Sequence, residues 1–228
     1  MATPLAHALE TRIALLESEV ATLRALSDRR GAALQELRHR AKNSLQTIVS
    51  LLRLQTGRLT EPTARALANQ SLRRIEAIAI AYRHLGEPGV DEQQIHLAPY
   101  LTDLAQALAA QSADDGTAVG FTVDVDATLW TSLGKLVPLG LIAHELMTTM
   151  MHNRANATDV IRLAMFPGSD GIADLTLTRC TGPAWAPAAA SDSEPEPALI
   201  EALAGQLGGT ITTTVGARET AVVFAVRL

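Results

Sequence analysis

"ELRHRAKNSLQTIVSLLRLQ", residues 36–55, sets the reading of the whole chain. Stepping 100° per residue from about Gly31 to Thr56 puts Leu34, Leu37, Ala41, Leu45, Ile48 and Leu52 on one side. The spacing predicts an amphipathic helix with that stripe turned inward. His39 falls nearly opposite, among Gln35, Glu36, Lys42, Asn43, Gln46, Ser50 and Arg53. A core histidine would have fallen among the leucines, so the pattern places His39 on the outer face. Gly57 and Pro62 stop this helix and start another, which carries Leu67, Ser71, Ile75, Ile78, Tyr82 and Leu85. Two long helices on a short turn make a helical hairpin. One hairpin leaves an apolar stripe uncovered, and pairing with a second copy into a four-helix bundle is the natural completion.

Upstream, Ala6, Leu9, Ile13, Leu16, Val20 and Leu23 follow the three-and-four spacing of a coiled-coil seam, which also suits a monomeric amphipathic helix. Downstream, "GEPGVDEQQ" (86–94) is polar and loop-like, a domain boundary. Beyond it, Leu97–Ala110 reads as helix and "AVGFTVDVD" alternates like a strand. "GKLVPLGLIAHELMTTMMH" reads as a long buried helix, and "DVIRLAMF" and "IADLTLTRC" as strands. "PALIEALAGQLGG" is a helix ending on glycine, and "TITTTV" with "TAVVFAV" closes as a hairpin. Interleaving of this kind predicts an α/β sandwich, a sheet with helices on one face. The division expected is a coiled-coil-like helix over 1–30, the hairpin over 31–90 and the α/β domain over 91–228, an α+β chain.

Composition narrows the function. Of 228 residues, 47% are hydrophobic but only 3% aromatic, so the core is aliphatic. A net charge of −5 argues against a general nucleic-acid binder, which needs a basic surface for phosphates. One cysteine, Cys180, forms no internal disulfide. The N-terminal residues lack a basic-then-apolar signal pattern. The most apolar long window, Leu133–Met151, contains Lys135, His144 and Glu145, so no membrane span is expected. The expectation is a cytoplasmic protein. His144 and His152 share a helix without a third ligand at workable spacing, and no metal site is expected. His84, His96, Trp130 and Trp185 carry no clear signal.

An exposed histidine on a helix is most often a solvated surface residue. Two features set His39 apart. An imidazole is partly neutral and nucleophilic at pH 7. Between residues 29 and 58, moreover, Arg29, Arg30, Arg38, Arg40, Lys42, Arg53 and Arg58 face Glu36 alone. Such a field attracts a phosphoryl group or an acidic partner, though a solvated polar face would look the same. Asn43, one turn along, can orient a phosphoryl oxygen or a water.

"LRHRAKNSLQTIVSLLRLQ" resembles the phosphoacceptor box of two-component sensor histidine kinases, in the subfamily whose box reads H-R-x-K-N-N-L-Q. The resemblance implies that His39 is the phosphorylated histidine. "VPLGLIAHELMTTMMHNRA" is similar to the N box of that family's ATP-binding domain, and "LIEALAGQLGGTI" to the helix and strand after its glycine-rich lid. Together these imply a dimeric helical hairpin forming a four-helix bundle, followed by a Bergerat-type ATPase fold.

The departures from the family pattern decide the function expected. Thr149 stands where the N box has its magnesium-holding asparagine, and a hydroxyl is a weaker ligand than an amide carbonyl. In the D-x-G-x-G motif, Cys180 replaces the adenine-binding aspartate and Ala184 the second glycine, and a thiol is a poor acceptor. The lid aligns with "EPEP", where Glu194 and Glu196 replace the cradle and Pro195 and Pro197 remove two donors. Carboxylates beside phosphates cost on the order of a kcal/mol or more each. Glu145, at the N-box glutamate, reads as a packing or capping residue. No cofactor is expected on this chain.

A phosphorylatable histidine beside a dismantled nucleotide pocket suits a phosphotransferase. His39 would relay phosphoryl groups between receiver-domain aspartates, with Arg40 and Lys42 steering docking and Asn43 orienting the group. The receiver's own Mg²⁺ and lysine would supply most charge stabilisation. The partners expected are response-regulator receivers and a second copy of this chain, with neither nucleic acid nor membrane. The other readings are an ATP-dependent histidine kinase with divergent motifs and a non-catalytic adaptor that binds a receiver. A phosphatase role, with Asn43 or Gln46 positioning water, is not separable from transfer by sequence.

Overall fold

The structure is a computed structural model and describes residues 4–85, 94–114, 119–152, 160–168, 172–180, 197–215 and 219–227. Residues 1–44 form one unit and residues 45–228 another. Among its described residues the first is helix throughout. It is the N-terminal part of α1 (Pro4–Thr56). The two helical stretches read from the sequence are therefore one helix. Gly31 does not interrupt it, because a helical glycine costs only about 1 kcal/mol relative to alanine.

In the second unit, α1 ends at Thr56 and a turn closes through the Gly57 N–H donating to the Arg53 carbonyl at 3.0 Å. The next helix, α2 (Pro62–Arg83), starts on two signals visible in the sequence. Pro62 opens it, and the Glu61 carboxylate accepts from the Thr63 N–H at 2.9 Å and from the Ala64 N–H. Those backbone bonds hold the Glu61 carboxyl below its usual value. On α2 the residues buried within this chain differ from the stripe read in the sequence. Leu67 is 60% exposed, while Leu72, Ala77, Ile80 and Ala81 are buried. Ala77 and Ala81 are buried within the cluster that α3 and α4 also join.

That layer contains β1 (Gln94–His96), α3 (Leu97–Asp114), β2 (Gly120–Val125), β3 (Trp130–Ser132), α4 (Leu133–His152), β4 (Val160–Pro167), β5 (Ile172–Cys180), α5 (Pro197–Leu207), β6 (Thr210–Val215) and β7 (Glu219–Arg227). The main sheet runs β2-β4-β5-β7-β6, with β2 and β4 parallel and the other pairs antiparallel. Every strand of it stands where alternation placed one. The short antiparallel pair β1–β3 was not anticipated; in it His96 stacks on Trp130 with centroids 4.5 Å apart.

Register explains the core. Leu163 pairs with Leu177 and Leu177 with Val222; one step along, Met165 pairs with Leu175 and Leu175 with Phe224. All six are buried, so alternate positions on three neighbouring strands form a continuous apolar face. Leu101, Leu104 and Leu108 of α3 and Leu139, Ile142 and Leu146 of α4 recur at helical spacing and belong to the same cluster. Helix α5 ends in a Schellman motif. Gly208 adopts φ +61°, its N–H donates to the Gly205 carbonyl, and the Gly209 N–H donates to the Ala204 carbonyl at 3.0 Å. The chain is α+β, as expected from sequence.

Candidate functional site

His39 sits in mid-helix on α1 and is exposed. Its Nδ1 lies 3.3 Å from Asn43 Nδ2, one turn later, and Asn43 is also exposed. The i,i+4 spacing of a regular helix fixes this meeting and needs no tertiary support. Arg40 turns back instead: its Nε donates to Glu36 Oε1 at 2.7 Å. The one carboxylate near His39 in sequence is thus engaged by a guanidinium. Lys42 is half-buried. Of the four residues proposed from sequence to act at this site, the structure brings His39 and Asn43 into contact and gives Arg40 a partner of its own.

The N-box segment lies on α4, and its polar groups are internally engaged. Arg74 of α2 forks onto Glu145, Nε to Oε1 at 2.9 Å and Nη2 to Oε2 at 3.2 Å. The Glu145 side chain is 4% exposed and that of Arg74 22%. His144 is buried beside them, its Nδ1 3.4 Å from Glu145 Oε1. Burial pushes the Glu145 carboxyl up, but hydrogen bonds from His144 and Arg74, with their charges, overcome that and hold it at about 2. Glu145 is therefore not a cap; it is a buried packing residue that joins α4 to α2 through an ion pair. Thr149 uses its hydroxyl to donate to the Glu145 carbonyl at 2.8 Å.

Sequence reasoning missed Arg74, and with reason: its partner is 71 positions away. It also missed Glu76. This carboxylate accepts from Arg53 Nε at 2.9 Å and from Gln111 Nε2 at 2.6 Å, joining α1, α2 and α3. Beside it lies a cleft of about 590 Å³ lined by Gln46, Ser50, Arg53, Glu76, Arg83 and Gln111, among others. His84 pairs with Asp103 at 3.1 Å and meets the Tyr100 ring edge-on. Arg179, 1% exposed, takes the core-facing place paired with Ile161. The cue available was its position on β5, where it continues the alternation of Ala173, Leu175 and Leu177.

Ala184, Glu194, Glu196 and Trp185 lie outside the described residues, as do the side chains of Cys180 and His152. Among the described residues no three histidine, cysteine or acidic side chains cluster as a metal would require, and no helix is long and apolar enough to cross a membrane.

Residues 36–112, the span from the Glu36–Arg40 pair through α3, match the HisKA_2 histidine kinase family. The sensor histidine kinase PdtaS of Mycolicibacterium smegmatis is 35% identical over 79 residues, 32% of this chain and 16% of that protein. Its Mycobacterium tuberculosis counterpart is 34% identical over the same share. The match thus spans under a fifth of the length of these curated relatives. In structure, the histidine kinase domain of the Erythrobacter litoralis EL346 blue-light activated kinase superposes with TM-score 0.56 at 24% identity, covering 86% of this chain and 90% of that one. The longer EL346 structure gives 0.59 at 20% identity, over 83% and 59%. The fold is that of a histidine kinase domain.

Proposed function

We propose that this two-component, histidine kinase-like chain is a histidine phosphotransferase of a bacterial phosphorelay. His39 takes a phosphoryl group from the aspartate of one receiver domain and passes it to the aspartate of another. The imidazole attacks phosphorus in line, an N–P bond forms, the acyl phosphate P–O bond breaks, and the receiver's aspartate leaves as carboxylate. Mg²⁺ comes with the receiver. Arg40 and Lys42 assist docking of the acidic partner by charge.

One observation carries this reading: the histidine is exposed while the polar groups of the N-box helix are engaged within the protein. Glu145 is held by Arg74, and the Thr149 hydroxyl is bonded to the helix backbone. A second copy completes the site's scaffold. Leu34 at 44%, Leu37 at 63% and Ile48 at 44% exposure leave an apolar stripe on α1 that a four-helix bundle would cover.

The kinship with sensor histidine kinases favours a second reading, an ATP-dependent kinase with divergent nucleotide motifs. Two incubations separate them. Labelled phospho-receiver should transfer label to the chain and not to its His39→Ala variant. Labelled ATP with Mg²⁺ and no other kinase should leave His39 unlabelled; label there establishes the kinase.

A further inference from the structure

Ile13, Leu16, Val20 and Leu23 step by three and four along α1, and all four are exposed. Leu34 and Leu37, also exposed, hold the places that Val20 and Leu23 hold two heptads earlier. In this frame the β-branched Ile13 and Val20 take the a position, and Leu16 and Leu23 take d. That combination favours two parallel strands. The described part of the 1–44 unit is helix throughout, so it has no second layer of its own to cover the stripe.

The flanking charges identify what does cover it. Arg12 and Glu19 fall at g, Glu17 and Arg24 at e. Two parallel chains without stagger bring each g residue beside the e residue five positions on in the other copy. Arg12 then meets Glu17 of the second copy and Glu19 meets its Arg24, so every pair is attractive. Arg40 is satisfied by Glu36 in its own helix, whereas none of these four makes an ion pair among the described residues.

The third heptad breaks the pattern with Ser27 at a and Arg30 at d. Without stagger this polar layer faces itself. A slip of one heptad would set the Arg30 guanidinium against Leu23 or Leu37 and strip its water, so slipped registers are penalised. His39 falls at f, farthest from the seam, and stays open to solvent when the chains pair.

We infer that residues 12–37 of α1 dock on the same residues of a second copy as a parallel, unstaggered coiled coil. The Arg12–Glu17 and Glu19–Arg24 pairs and the Ser27–Arg30 layer set its direction and register. This carries the pairing called for by the proposed scaffold into a segment which that scaffold does not use, and it needs no phosphate on His39.

The test uses the full chain with Cys180→Ser, so that one introduced cysteine is the only thiol. Under mild oxidation Leu16→Cys and Val20→Cys should each cross-link to itself in most of the protein, while Ser18→Cys, at the outward f position, should not. Arg12→Glu with Arg24→Glu makes all four flanking residues acidic, and Glu17→Arg with Glu19→Arg makes all four basic. Each double variant should self-associate at least about tenfold more weakly in sedimentation, and mixing the two should restore pairing. A cross-link that forms only between Leu16→Cys and Val20→Cys chains marks an antiparallel pair and overturns the inference. A dimer that cross-links at none of these sites, or that is indifferent to both charge reversals, overturns it too and leaves the second copy of the proposed scaffold standing. A wild-type monomer overturns both.

Discussion

Glu145→Gln tests the joint between α2 and α4. The substitution keeps the shape and one acceptor oxygen while deleting the charge. A carboxyl held at about 2 instead of 4.5 contributes about 3 kcal/mol at neutral pH, since the folded state disfavours its protonation by that amount. Arg74 keeps some access to water, with 22% of its side chain exposed, so the guanidinium left behind is not fully stranded. The loss expected is therefore about 2–3 kcal/mol, at or below the low end for breaking a buried pair. Replacing both partners with apolar residues of similar size, Glu145→Leu with Arg74→Met, should return stability to within about 1 kcal/mol of wild type.

Urea unfolding followed by tryptophan fluorescence and far-ultraviolet circular dichroism reads these differences. Acid supplies an independent check. The unfolded chain takes up the Glu145 proton near 4.5 and the folded chain only near 2, so the contribution is whole above pH 4.5 and drains away as pH falls toward 2. Glu145→Gln should lack that component and unfold over a flatter acid profile. If the variant lies within about 0.5 kcal/mol of wild type at pH 7 and shares its acid transition, the ion pair contributes nothing and the reasoning is refuted.

A Cβ at Gly140 would run into Tyr100 Oη and lie 2.6 Å from Cζ, so Gly140→Ala should cost about 1–3 kcal/mol in thermal or urea unfolding, and Tyr100→Phe should rescue it only in part because Cζ stays too close. Tyr100→Phe alone should be neutral or stabilising by up to about 1 kcal/mol, because the buried hydroxyl has no hydrogen-bond partner among the described residues. Gly208→Ala, at φ +61°, should lose about 1 kcal/mol, whereas Gly205→Ala, with open space at its Cβ inside α5, should gain about 0.5–1 kcal/mol; equal effects would contradict the Schellman assignment. Leu37→Glu, on an exposed leucine, should halve the mass found by sedimentation if the α1 stripe pairs two copies, and a dimer that survives it argues against that interface.

What could be read in advance follows from the range of each interaction. Strands β4, β5 and β7 alternate because one face is buried, and alternation is written in consecutive residues. The α4 run and the glycines ending α5 are equally local. The pair β1–β3 was missed because three residues are too few to show a period. The face of α2 buried within the chain did not show in advance, because Ala77 and Ala81 add little to an apolar stripe. His39 and Asn43 were legible because i,i+4 neighbours meet on any helix. The fork of Arg74 on Glu145 was not, since it depends on how two distant elements pack.

These two kinds of polar contact set different costs for function. A phosphoryl acceptor must be approached by a second protein, and the group it accepts carries about two negative charges that a dry site would penalise severely. An exposed imidazole with a local amide partner meets both conditions without opening any part of the fold. Glu145 is in the opposite position. Any role in which its carboxylate turns to a ligand must first break the fork that Arg74 makes on it. An ATP-dependent mechanism that needs a free Glu145 carries this handicap from the start, whereas relay through His39 does not disturb the pair.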